Sequence, residues 1–251
     1  MKIYNEEYFS EVRGITSPKE QKWKFEKTLP ALTVFFNIVD SAKISLIEIG
    51  SGSGLFLKYL ISNYKKNNFD ITSFEINKAS LKYLKNISPK IKIIIGDISN
   101  KTSFSDKKFD LCIAIDVIEH IPDIQKALQE IKRVSKYAIF KIPIEKSFGT
   151  ILINLLTLGQ YRKNAINTIG HINWFSDQGL RLLLKNHFYK MEYLAYTNLG
   201  SYQYQKYESL KKPFNLILLI VWYVMSAFLF RISPRTNALI FGDHIIVLVR
   251  C

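Results

Sequence analysis

Little in this chain could staple a fold or clasp a metal through sulfur. It has 2 cysteines in 251 residues, Cys112 inside an apolar run and Cys251 at the last position. That excludes a disulfide framework or a cysteine zinc site as the organising principle. The opening residues, Met-Lys-Ile-Tyr-Asn-Glu-Glu-Tyr-Phe-Ser, lack the apolar stretch of a secretory signal, so a reducing, cytoplasmic setting is expected. Internal repeats and low-complexity tracts are absent. Acid is also scarce: 21 acidic residues face 35 basic ones, a formal charge of +14, and the positions from 141 onward hold 13 basic and 5 acidic residues. Such a balance suits an anionic membrane surface or a nucleic acid, or simply a lysine-rich solvated surface. What is present is core material. Hydrophobic residues make up 48% of the chain, with 14 Tyr and 17 Phe, enough for one domain with a full core.

After residue 43 strand-like and helix-like segments alternate. Strands are expected at Ser45–Ile49, Phe69–Ile76, Ile91–Ile95, Phe109–Val117 and Tyr137–Pro143, with helices at Leu55–Tyr64, Ala79–Leu84 and Ile124–Val134 between them. The third strand, nearly all Ile, reads as buried on both faces. Strands separated by helices of this length imply right-handed crossovers and a parallel sheet. A helix around Trp23–Val39, interrupted near Pro30, precedes the sheet. Residues 145–175 read as an irregular insertion with one apolar stretch, Ile151–Leu158. Ser176 is a suitable N-cap for a helix through Asn186, and Met191–Tyr196 and His244–Val249 read as the last strands. The expected organisation is a single domain: a helical cap at 1–43, a ligand-binding core at 44–144, an acceptor-side insertion at 145–175 and C-terminal strands at 176–251.

The most informative segment is Leu46-Ile47-Glu48-Ile49-Gly50-Ser51-Gly52-Ser53-Gly54. A strand ends in an acid, and glycine then recurs at every second position before a helix. Glycine tolerates positive φ and keeps no side chain between backbone and ligand, so such a loop lets amides approach a small polar ligand at the mouth of a parallel sheet. The dinucleotide fingerprint wants a glycine three residues after its second, but that position is Leu55. Glu75 ends the second strand, where a carboxylate can accept both ribose hydroxyls of a nucleoside; a nicotinamide site uses the same device. Gly96-Asp97-Ile98 ends the third strand.

Taken in order, the glycine loop, Glu75, Asp97 and the segment Asp116-Val117-Ile118-Glu119-His120-Ile121-Pro122 resemble class I S-adenosylmethionine-dependent methyltransferases of the small-molecule and lipid type. The resemblance covers residues 44–144, and Gly170-His171-Ile172-Asn173-Trp174-Phe175-Ser176 also looks like that family. It implies a Rossmann-like α/β fold: a doubly wound, mostly parallel seven-stranded sheet with helices on both faces and the last strand antiparallel. It implies S-adenosyl-L-methionine held by Glu48, Gly50, Ser51, Gly52, Gly54, Glu75, Ile76, Asp97, Ile98 and Asp116. Asp97 would take the adenine amino group, Ile98 would offer its amide and an apolar face, and the end of the fourth strand would lie beside the methionine half. Leu55 and Asp97 both count against a nicotinamide oxidoreductase. No Asn-Pro-Pro-Tyr or Asp-Pro-Pro-Tyr segment follows the fourth strand to hold a flipped base, which makes nucleic acid an unlikely acceptor. A cofactor-binding module without chemistry is a further alternative.

Transfer of a methyl group to a hydroxyl requires removal of a proton, and a histidine near the transfer point suits that role. His120 is the first candidate and His171 the second. Segment 116–120 also resembles the acid-x-x-Glu-His set of ubiquinone-pathway O-methyltransferases, which implies a divalent cation on Asp116, Glu119 and His120. Finally, Phe214–Phe230 is a run of 17 residues without charge, about 25 Å long as a helix. It is short for a bilayer span, and the last two strands must rejoin one sheet. A peripheral membrane anchor, with Trp222 and Tyr223 at the interface, is expected; a core helix or a homodimer face is the alternative. The acceptor is then expected to be small or lipid-linked, with Trp174, Phe175 and Tyr161 around it.

Overall fold

The computed structural model describes residues 17–64, 68–202 and 215–251. The first residues, Phe214 and the lysines at 211 and 212 lie outside that set. Seven strands form one sheet in the order β3-β2-β1-β4-β5-β7-β6. They are β1 (Lys43–Ile49), β2 (Asn68–Glu75), β3 (Lys92–Ile95), β4 (Phe109–Ile115), β5 (Ser135–Ile144), β6 (Lys190–Tyr196) and β7 (Asp243–Arg250). The first five pair in parallel, and β7 inserts antiparallel between β5 and β6. The order reverses between β1 and β4, so the crevice at their carboxyl ends is where a ligand fits an open sheet of this kind.

Helices cover both faces. They are α1 (Pro18–Ile38), α2 (Leu55–Asn63), α3 (Leu81–Leu84), α4 (Ile124–Val134), α5 (Phe148–Leu156), α6 (Gln160–Ile169), α7 (Asp177–His187), α8 (Asn215–Ile232) and α9 (Pro234–Phe241). One core lies under α4 and α7, built around Ile131, Phe140 and Leu184; the other lies under α1 and α2, built around Phe35, Leu57 and Leu111. Asp123 caps α4, its side chain accepting from the Lys126 N–H, and Ser176 caps α7 through the Gly179 N–H.

Three sequence expectations need correction. Pro30 does not interrupt α1, which runs unbroken over 21 residues. Pro30 and Glu26 both sit on the exposed side, where the carbonyl that loses its amide partner can turn to water, while Ala31, Leu32 and Phe35 hold the buried side. The third strand is not buried on both faces. Among the described residues it is an edge strand, paired with β2 alone, and its isoleucines are half-covered. Residues 145–175 are not irregular but hold α5 and α6. A Ser147–Thr150 capping box starts α5, and left-handed Gly159 and Gly170 bracket α6. The half-buried ring of Trp222, expected at a membrane interface, packs against neighbouring helices. It fills the space beside Gly149, where a Cβ would lie 2.1 Å from its ring, and meets Phe241 edge-on at 4.7 Å. It therefore clamps α8 onto α5 and α9. No helix among the described residues is long and apolar enough to cross a membrane.

Candidate active site

The loop between β1 and α2 is a left-handed staircase. Gly50, Gly52 and Gly54 have φ of 70°, 54° and 71°, a region that costs any residue with a Cβ about 1–2 kcal/mol. Space is tight as well: a Cβ on Gly50 would lie 2.5 Å from Val117 Cγ2. The Gly50 N–H donates to Phe74 O at 2.9 Å, and Ser73 Oγ donates to Ser51 Oγ at 2.8 Å, tying the loop to β2. Ser51 thus faces the sheet.

Two acids face this loop from strand ends. Glu48 is buried, and its Oε2 has no hydrogen-bond partner among the described residues. Burial, with the nearby charge of Glu75, raises its carboxyl from 4.5 to about 8 despite a hydrogen bond from Ser51. Glu75 is buried too and is pushed up to about 7, eased by hydrogen bonds from Ser80 and from the backbone of Ile76 and Gly52. Both would gain from a ligand bringing positive charge or hydroxyl donors. Ile76 beside them is 46% exposed, an apolar side chain left bare at the mouth of the sheet. Asp97 sits half-buried across the crevice, Oδ1 accepting from the Ser99 N–H at 2.8 Å. Ile98 beneath it is buried in the core cluster that also holds Phe74 and Phe104.

Asp116 departs from the expected arrangement. Its carboxylate is committed to two ammonium groups: Oδ1 to Lys141 Nζ, and Oδ2 to Lys24 Nζ at 3.0 Å. Burial would raise its carboxyl, but Lys141 and Lys24 outweigh that and hold it well below the carboxylate range. A divalent cation there would meet like charge, so the set Asp116, Glu119 and His120 implied by the resemblance does not form. Asp116 also has φ of 54°, which turns the chain so that Val117, rather than the acid, lies over Gly50. Lys24 is supplied by α1 and Lys141 by β5. Sequence reasoning passed over both, although a lysine amid Ala-Ile-Phe-Lys-Ile-Pro-Ile stands out in a buried strand. Trp23 lies beside this pair, stacked on Tyr202 at 4.4 Å, with the Lys141 ammonium 5.7 Å above its ring.

The two candidate histidines do come together. His120 and His171 meet edge-to-face at 4.8 Å. His120 Nδ1 donates to Gly170 O at 3.0 Å, and burial together with His171 lowers its pKa to about 4. His171 Nδ1 lies 2.7 Å from Glu145 Oε1, and its Nε2 is 3.9 Å from Glu119 Oε1. Burial opposes its protonation, but Glu145 and Glu119 outweigh burial and raise it above 6.5. Glu119 is fully buried, and neither oxygen finds a side-chain partner among the described residues; burial and the charge of Asp116 lift it to about 8. One donor atom from each of Glu119, His120 and His171 falls within 4.8 Å of the others. Asn173 ties the strand-end loop to this strap, its side chain donating to Ile121 O at 2.7 Å. Glu145, absent from the sequence-derived candidates, thus emerges as the partner that orients His171. Of the aromatic residues expected around an acceptor, Trp174 lies under the Arg162 guanidinium at 5.4 Å, Tyr161 is exposed on α6, and Phe175 packs against the core instead.

Residues 47–137 match the methyltransferase domain family. Over 135 residues the chain is 29% identical to the sterol 4-C-methyltransferase strm-1 of Caenorhabditis elegans, an alignment that spans 52% of this chain and 40% of that protein. Phosphoethanolamine N-methyltransferase 2 of Haemonchus contortus, solved with S-adenosyl-L-methionine, is 11% identical with a TM-score of 0.60 over 98% of this chain and 59% of the other. A geranyl diphosphate methyltransferase, solved with GPP and sinefungin, is 9% identical with a TM-score of 0.58 over 89% of this chain and 78% of the other. At such identities these structures share the fold.

Proposed function

We propose that this chain, whose residues 47–137 match the methyltransferase domain family, is an S-adenosylmethionine-dependent methyltransferase that methylates an oxygen of a small or lipid-linked acceptor at a membrane surface. The observation that carries the reading is the glycine staircase faced by two buried acids. Glu48, with an unpartnered oxygen, suits the ammonium end of the amino-acid half. Glu75, bonded to the Gly52 backbone, suits the ribose hydroxyls, and the bare side chain of Ile76 suits the face of an adenine. These residues fit the cofactor. When bound, S-adenosylmethionine supplies a methyl group on a positively charged sulfur, which leaves the protein mainly to position and deprotonate the acceptor.

His171 takes the proton. Glu145 accepts from its Nδ1, which fixes the tautomer and leaves the Nε2 lone pair turned toward Glu119. The same carboxylate stabilises the imidazolium that forms. His120 is the weaker base, since burial beside His171 holds it down near 4. It braces the strap through Gly170. Lys24 and Lys141 hold Asp116 ionised at the end of β4, and the paired charges fix α1 and β5 against that strand end.

The test is incubation with radiolabelled S-adenosylmethionine and a membrane lipid extract, followed by identification of the labelled product. Label on a lipid or small-molecule oxygen is the expected result. Label confined to RNA, protein or a nitrogen of the acceptor would overturn the acceptor assignment. Calorimetry tests the cofactor separately: folded protein giving no heat with S-adenosylmethionine or with S-adenosylhomocysteine would end the proposal.

A further inference from the structure

Two helices carry apolar stripes that nothing among the described residues covers. On α5 the exposed residues are Phe148, Ile151, Leu152, Leu155 and Leu156, and on α8 they are Val221, Val224, Met225, Phe228 and Ile232. Both sets follow the three- and four-residue spacing of a single helix face. On α8 the opposite side is already occupied: Ser226 bonds Asn237, and Trp222 fills the gap at Gly149. That packing brings α8 against α5, so the two stripes lie on adjacent helices. Between α5 and α6 the chain turns at Leu158, which is 93% exposed at φ 50°. Solvent disfavours a leucine there, and so does the left-handed backbone, where glycine or asparagine would be comfortable. Exposed apolar surface of this extent marks a binding site rather than ordinary surface.

Charge identifies what binds. Lys146, Lys163 and Arg231 are exposed on these segments, and none of the 21 acidic residues falls in 146–176 or 215–242; Arg162 and Arg235 are already paired, with Glu145 and Asp177. A second copy of the chain would set cation against cation across a twofold interface. An anionic sheet of headgroups over hydrocarbon would satisfy both the cations and the leucines. We propose that α5, the Leu158 turn and α8 dock on an anionic phospholipid bilayer, with the turn inserted among the lipids. The surface adjoins the site, because α5 follows directly from β5, and Arg162 on α6 donates to Ile172 O at 2.8 Å in the strap that carries His171. An acceptor embedded in the bilayer would thus reach His171 past the α5–α6 hairpin, a route that rests on the methyltransferase reading, whereas the docking itself does not.

The experiment is flotation of the full chain with vesicles of phosphatidylcholine alone or of phosphatidylcholine with phosphatidylglycerol. Leu155→Ser and Leu158→Asn serve as variants, with cofactor calorimetry run on the same material. The wild type should float with the anionic vesicles and less so as salt is raised. The double variant should lose at least about tenfold in partitioning with its heat of cofactor binding unchanged. Absence of flotation, or equal flotation of the double variant, would overturn the proposal. So would light scattering that shows a dimer split by the variant without vesicle binding. Flotation without any cofactor heat would leave the docking surface standing and remove the enzymatic reading.

Discussion

Lys24 Nζ lies 3.0 Å from Asp116 Oδ2, joining the helix that precedes the sheet to the end of its fourth strand. Lys141 holds the other oxygen, so removal of the acid would leave two buried ammonium groups facing each other. Asp116→Asn should cost about 3–5 kcal/mol, the usual penalty for breaking a buried ion pair from one side. Lys24→Met leaves Lys141 in place and should cost clearly less. Urea midpoints with unchanged m-values would measure both. A cost below that of an ordinary surface substitution for Asp116→Asn would refute the latch.

If Glu48 meets the ammonium of the cofactor as proposed, cofactor binding should depend on pH. Its carboxyl is raised from 4.5 to about 8, so between those values the fold retains a proton that the unfolded chain has lost. The ligand-free protein therefore loses stability as pH climbs through that window. An arriving ammonium favours the ionised carboxylate and expels the proton. Affinity should accordingly rise as pH goes from 6 to 8, with proton release visible in calorimetry repeated in buffers of different ionisation enthalpy. Glu48→Gln should flatten the dependence. An identical pH profile in that variant would dissociate Glu48 from the ligand.

Glu145 raises the pKa of His171 across a 2.7 Å hydrogen bond. Glu145→Gln should therefore move the His171 titration, followed by NMR of the ring carbons, toward lower pH, and the acid limb of the rate profile should follow. His171→Ala should slow turnover by about 10²–10⁴-fold with little change in cofactor affinity, and His120→Ala should do less. A larger loss at His120 than at His171 would reverse the assignment.

Gly50 is constrained twice, by its backbone at φ 70° and by Val117. Gly50→Ala should destabilise the protein by about 1–3 kcal/mol and weaken cofactor binding by at least about tenfold. Adding Val117→Ala would relieve the clash but not the backbone, so it should restore only part of either loss. Thermal shifts with and without S-adenosylhomocysteine would show this.

Local chemistry was legible in the sequence and distant pairing was not. The glycine loop could be read because positive φ is a property of the residue itself. Helix α4 could be read to its ends because its 11 residues form one amphipathic run. His171 was found, but its partner Glu145 stands 26 positions away, separated by two helices whose capping box ends in Thr150 rather than the usual Glu. Lys24 and Lys141 escaped for the same reason: their meaning depends on Asp116, which sequence pattern assigned to the cofactor. The isoleucines of β3 misled because composition reports hydrophobicity, while the sheet order decides which strand lies at its margin.

That margin has its own consequence. At one end of the sheet β3 is only 4 residues long, and its Lys92 reaches Asp70 on the neighbouring strand at 2.9 Å. At the other, β6 opens with Lys190, bonded to Glu192 at 2.8 Å, and its register slips between Met191 and Tyr193. A short charged ribbon and a kinked one are poor templates for a foreign chain to zip onto. Aggregation by backbone-to-backbone growth is thereby discouraged at both rims, which leaves the helical flank as the adhesive part of the molecule.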